Sequence, residues 1–221
     1  MSDAHGFRAP AAAYDRHIGR YGPALARELI AAAGVRPGDR VPGADVREGA
    51  AEALPFAGGA FDGALCQLVV NFMADAPAGL AEMRRVVRPG GVVAAAVWDY
   101  ADGMTLLRRF WDAAAALDPD AGARDEGRTM PYCTPGSLGE LLEGSGLRGV
   151  AVRAVVVDAR YDGFADLWAP LEAGVGPSGA YAAALEPVAR AALADELRAR
   201  LGVADAPFAL DARAFVATGR V

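Results

Sequence analysis

Two apolar runs joined by an amphipathic stretch constrain this chain more than any other feature. FDGALCQLVV covers residues 61–70 and VVAAAVW covers 92–98; neither alternates polar with apolar. Runs of that length and composition read as strands buried on both faces. Between them Leu80, Met83 and Val87 recur at helical spacing within Ala78 to Arg88, and Pro89-Gly90-Gly91 stops that helix. Strand, helix, turn and strand in that order predict an α/β fold, with parallel strands covered by helices.

The flanks extend the pattern. Residues 11–33 carry Tyr14, Ile18, Tyr21, Leu25, Leu29 and Ile30 at helical intervals, with Gly34 as a C-terminal cap. Met104 to Leu117 predicts an amphipathic helix, and Thr134-Pro135 opens another that runs to about Ser145. Val150 to Asp158 alternates as a strand, residues 159–186 read as an irregular or partly helical insertion, and Pro187 to Leu201 is a helix ending at Gly202. FALDARAFVATGRV closes the chain as a period-two strand, able to pair antiparallel with the preceding strand at one sheet edge. The expected organisation is one domain over 1–221: a helical cap (1–40), a sheet core (41–158), a helical insertion (159–207) and a final strand (208–221).

Composition removes several function classes. The net charge is −6, all 22 basic residues are arginine, and phosphate binding needs a basic face, so nucleic acid is not an expected partner. No apolar run reaches membrane-spanning length, and MSDAHGFRAP lacks the layout of a signal peptide, so a cytoplasmic protein is expected, with no membrane partner. Cys66 and Cys133 form no CxxC pair, and the two histidines, His5 and His17, both lie near the N-terminus; no metal site is expected.

The segments EGAAEALPFAGGAFDGALCQLVVNF (48–72) and LAEMRRVVRPGGVVAAAVWD (80–99) resemble class I S-adenosylmethionine-dependent methyltransferases. The similarity is to the small-molecule group, of the type 11 domain, that includes ubiquinone- and menaquinone-biosynthesis enzymes. YDRHIGRYGPALARELIAAAGVRPGDR and the final strand pair share the likeness, so it spans most of the chain. It implies a Rossmann-like, mostly parallel sheet with helices on both faces and an antiparallel C-terminal strand pair. S-adenosylmethionine is the implied cofactor and a small molecule the implied substrate. After a stretch such as GVRPGDR, the family runs a first strand into a glycine-rich loop, a helix, and a second strand tipped by an acidic residue. Here only Val41-Pro42-Gly43 separates Arg40 from Ala44, whereas a strand–helix–strand unit takes roughly 30 residues. The first such unit is thus absent, Ala44 to Phe56 is read as a short strand with its loop, and about five strands are expected. The sheet so exposed would offer an apolar face for a homodimer.

The resemblance also implies site residues. Ala51 and Glu52, ahead of Leu54-Pro55-Phe56, match the loop lining the adenine pocket; the alternative is a simple turn with Glu52 in solvent. Gln67, at the C-terminal end of its strand, falls where open α/β sheets bind ligands. Tyr21, with Tyr14 and Arg20, matches the helix that covers the cofactor, although a packed helix would show the same spacing. These four, Ala51, Glu52, Gln67 and Tyr21, are the cofactor candidates. For the substrate the candidates are Phe72 (beside Asn71), Trp98, Asp99 and Tyr132. Asp99 can orient a nucleophile or cap the following helix. Arg128 and Cys133 are weaker cavity candidates. No dedicated catalytic residue is expected, because in-line methyl transfer from a sulfonium needs little beyond positioning.

Overall fold

The computed structural model describes residues 11–41 and 47–221. The N-terminal ten residues, with His5 and the signal-peptide reading, lie outside these; so do Pro42 to Val46, which include the start of the strand expected from Ala44. Nine helices occur among the described residues: α1 (Ala11–Arg16), α2 (Gly22–Ala33), α3 (Ala76–Val86), α4 (Thr105–Leu117), α5 (Glu126–Thr129), α6 (Pro135–Gly144), α7 (Phe164–Glu172), α8 (Gly176–Ala184) and α9 (Pro187–Leu201). The strands are β1 (Phe61–Gln67), β2 (Val87–Trp98), β3 (Arg148–Tyr161) and β4 (Phe208–Arg220), in one sheet of order β1-β2-β4-β3. β1 and β2 run parallel, and β4 lies antiparallel to β2. The α/β reading therefore holds, with a mixed sheet.

Four strands occur among the described residues; the start of the further one expected from Ala44 lies outside them. Residues 47–60 form turns and open chain, and the described residues between α2 and β1 contain no helix or strand. Arg40 is bonded to the start of β1: its N–H donates to Asp62 Oδ2 at 2.8 Å and its carbonyl accepts the Asp62 N–H at 2.8 Å. Residues 159–186, read as partly irregular, hold α7 and α8.

The chain divides into two compact units. One comprises Leu25–Asp99, Pro131–Val155 and Ala214–Val221. Its centre is β2, whose Val93 to Val97 are all wholly buried, as a strand covered on both faces must be. Leu25 and Leu29 of α2, Leu80, Met83 and Val86 of α3, and Leu138 and Leu142 of α6 supply the surrounding core. Pro89-Gly90-Gly91, expected to be a plain turn, is a bulge in β2: Phe61 pairs with Val87 but Gly63 with Val92. Gly91 is required there, because a Cβ would sit 2.5 Å from the Asp62 carbonyl oxygen.

The other unit comprises Met1–Ala24, Tyr100–Met130 and Val156–Arg213. Its core is aromatic: Phe110 and Trp111 of α4 meet edge to face at 5.1 Å, and Tyr181 of α8 packs 5.5 Å from Trp111. Leu167 and Leu171 of α7 and Leu193 and Leu197 of α9 complete it. The single helix read over 11–33 is broken by a 3₁₀ turn at Ile18–Tyr21, and α2 restarts with Pro23 in its first turn, the position that tolerates proline because its missing N–H would have no helical partner.

Candidate functional site

The C-terminal ends of β1 and β2 lie side by side, with Gln67 opposite Ala96 and the Leu68 N–H donating to the Ala96 carbonyl at 2.8 Å. This is the rim where open α/β sheets take ligands. Leu68 ends β1 in a left-handed conformation, φ 59°, which costs a residue with a branched side chain on the order of 1–3 kcal/mol. The strain turns the chain into a 3₁₀ turn, Val70–Phe72, which holds Asn71 only 5 % exposed and leaves Phe72 half-buried.

At the end of β2, Trp98 and Asp99 are both buried, Asp99 to 4 % exposure. A second strained residue, Tyr132 with φ 62°, presents Cys133 in the same unit. The Cys133 thiol donates to the Pro131 carbonyl at 3.2 Å. Burial, and secondarily the charge of Asp99, push that thiol up to about 12, so it is protonated and a poor nucleophile at neutral pH. Leu68 and Tyr132 are the two non-glycine residues with positive φ among the described residues, and both belong to this unit.

The loop ahead of β1 is clamped to α3. Asp75 caps α3 by accepting the Ala78 N–H at 3.0 Å, and its own N–H donates to Glu52 Oε1 at 3.2 Å. Glu82 accepts the Leu54 N–H at 2.9 Å, while Arg85 donates to the carbonyls of Leu54 (3.1 Å) and Phe56 (2.9 Å). Gly79 of α3 gives this loop room: a Cβ there would lie 2.5 Å from Met73 Sδ and 3.7 Å from Ala51 Cβ.

The unit containing β1 and β2 thus brings together seven of the eight predicted site residues: Ala51 and Glu52 on the clamped loop, and Gln67, Phe72, Trp98, Asp99 and Tyr132 on or near the rim. Tyr21 belongs to the other unit, where it is fully buried and its hydroxyl meets that of Tyr161 at 3.1 Å. Arg20 stacks on Tyr161 at 4.1 Å and pairs with Asp166 at 3.0 Å. Arg128 is exposed on α5 of that unit.

The sequence reading missed the strain at Leu68, which no residue preference signals. It also missed a buried acidic pair. Asp125 takes two bonds from Arg108 (2.7 and 3.1 Å), and Glu126 accepts the Trp111 indole N–H at 2.7 Å. At the opposite end of β1 and β2, a cleft of about 210 Å³ is lined by Arg36, Arg88, Arg220, Asp39 and Asp62 among others. Arg88 is matched there by Asp62, and the carboxyl of Asp62 is held down near 2 by the Arg40 N–H and the Arg88 side chain. Among the described residues, no group of His, Cys, Asp and Glu could hold a metal ion, and no helix is long and apolar enough to cross a membrane.

Residues 10–95 match the methyltransferase domain family, a stretch shorter than half of the 221-residue chain. Two solved structures share the fold over nearly all of their own length. A protein of Bacillus halodurans assigned as a methyltransferase is 12 % identical, with a TM-score of 0.50 over 88 % of this chain and 97 % of its own. A protein of Anabaena variabilis, assigned as a methyltransferase of an antibiotic biosynthesis pathway, is 16 % identical, with a TM-score of 0.53 over 88 % and 96 %. No curated protein matches the sequence. Together the domain match and the fold bear out the resemblance to class I S-adenosylmethionine-dependent methyltransferases.

The described residues do not by themselves make a complete cradle for S-adenosylmethionine. Among those described, no strand runs through a glycine-rich turn into a helix N-terminus between α2 and β1. Glu52 is committed to the Asp75 N–H, and Tyr21 is sealed in a core with its hydroxyl engaged.

Proposed function

We propose that this chain is a small-molecule protein of the S-adenosylmethionine-dependent methyltransferase kind in which the acceptor side of the site is kept and the cofactor side is reduced. One observation carries the reading: the described residues between α2 and β1 form no strand or helix, and β1 is a terminal strand of the sheet. The rim supplies what a small, partly apolar acceptor needs. Phe72 and Tyr132 give aromatic surface, Asp99 and Gln67 give polar atoms, and the strain at Leu68 and Tyr132 holds the backbone in one arrangement. No chemical step is assigned, because the group that would donate the methyl has no complete site.

Ligand-observed NMR with a panel of small aromatic amines, phenols and quinols tests the acceptor side. Binding that Phe72→Ala abolishes, and that S-adenosylhomocysteine neither strengthens nor displaces, is the expected result. A panel without a single binder overturns the reading. A second reading, a non-catalytic binding or assembly protein on the same sheet, is favoured by the terminal position of β1. It predicts binders but no methylated product under any condition.

A further inference from the structure

In the unit that contains α7 and α9, a cleft of about 380 Å³ is lined by residues of both helices. That volume lies at the lower end of the range of small-molecule sites, about 300–1,000 Å³. Each helix turns one face to it. On α7, Trp168 and Glu172 stand four residues apart; on α9, Pro187, Arg190, Ala191, Ala194 and Asp195 share a face through three- and four-residue spacings. The short side chains of Ala191 and Ala194 leave room that longer ones would fill.

The walls of the cleft differ in chemistry. Trp168 is half-buried and stacks on Phe164 with ring centroids 6.2 Å apart, so its indole is held in place. Arg190 is already engaged. Its Nη2 donates to the carbonyls of Ala183 (3.3 Å) and Leu185 (2.9 Å), and its Nη1 lies 3.9 Å from Glu172. Asp195 is exposed, and its carboxylate has no hydrogen bond or ion pair with a described residue. Glu172 and Asp195 against Arg190 leave the lining with one negative charge in excess. The surrounding segment has the same sign: from Val156 to Arg213 nine acidic residues stand against five arginines.

An indole beside an unneutralised carboxylate attracts an organic cation, because the ring quadrupole and the carboxylate act on the same charge. An anion would meet Asp195, and a neutral molecule would leave that charge unanswered. A bare metal ion does not suit the cleft either, since no three ligating groups converge there. We infer that the cleft between α7 and α9 binds a small organic ammonium ion, held by the Trp168 indole and the Asp195 carboxylate. The inference does not rest on the reading of the β1–β2 rim.

Tetramethylammonium is the probe, and the tryptophan indole N–H resonances in a heteronuclear NMR spectrum are the readout. The chain has three tryptophans, and the resonance missing from Trp168→Phe belongs to Trp168. That resonance is expected to shift saturably with a Kd of about 10 mM or tighter, while tert-butanol, of similar size but neutral, leaves it in place. At constant ionic strength Asp195→Asn is expected to weaken binding about threefold or more. Ala191→Leu, which fills the cleft, is expected to abolish binding. Both positions are exposed and on a helix, so both variants keep the fold. A weaker or absent response to tetramethylammonium overturns the inference. So does a response that tert-butanol matches, which marks a merely apolar groove, or binding that Asp195→Asn or Ala191→Leu leaves intact.

Discussion

Glu126 is a carboxyl group at 3 % exposure whose partner is the Trp111 indole N–H rather than a cation. Burial raises it from 4.5 to about 7, and the nearby charge of Asp125 works in the same direction. An acid raised on folding binds its proton more tightly in the folded state, so it favours the fold at low pH. Below pH 4.5 the carboxyl is neutral in both states and costs nothing. As the pH rises from 4.5 to about 7 the unfolded chain gains by ionising while the folded one does not, and stability falls; above 7 the loss is constant. At about 1.4 kcal/mol for each pH unit, the whole loss is about 3 kcal/mol. Glu126→Gln keeps an oxygen for the Trp111 N–H and cannot ionise. Urea unfolding followed by tryptophan fluorescence at pH 5 and pH 8 reads the effect. Asp125, Arg108 and Asp112 face the same region, but they are common to both proteins and cancel in the difference. Relative to the wild type, Glu126→Gln is expected to gain up to about 3 kcal/mol on going from pH 5 to pH 8. An equal wild-type-to-variant difference at the two pH values would refute the reasoning.

Three further outcomes follow from the packing. Gly91→Ala is expected to lower stability by about 1–3 kcal/mol in chemical denaturation, because its Cβ meets the Asp62 carbonyl in the β2 bulge; an unchanged midpoint contradicts it. Thr134→Ala removes the oxygen that accepts the Ser137 N–H at 3.2 Å and so the cap of α6, for a loss of about 1 kcal/mol that Thr134→Ser should largely restore. Cys66 and Cys133, buried and raised to about 11 and about 12, are expected to resist a thiol reagent at pH 8 until urea is added; rapid labelling of the folded protein contradicts that.

Much of this fold was legible because its strongest signals are local. Apolar runs without alternation gave β1 and β2. Thr134-Pro135 marked the start of α6, and Gly202, in a left-handed cap at φ 65°, marked the end of α9. The break in the first helix carried a signal too, Gly22-Pro23, but the unbroken spacing of Tyr21, Leu25 and Leu29 outweighed it. The short strand expected from Ala44 begins outside the described residues, and the loop expected to follow it is the run of turns at 47–60. Those turns are held by Glu82 and Arg85 on α3, contacts about 30 residues away that no local pattern reports. For the site, the rim positions followed from strand ends. The strain at Leu68 and the Glu126–Trp111 contact depend on tertiary packing and left no mark in the sequence.

Calorimetric titration of S-adenosylhomocysteine into the folded, mass-verified protein tests the central claim most directly. The account predicts no binding tighter than about 1 mM, because the described residues between α2 and β1 build neither a glycine-rich turn nor an acidic strand tip. Micromolar binding would contradict it: the chain would then hold its cofactor through residues other than those assigned here, and methyl transfer to the molecules that bind the rim would be the next assay.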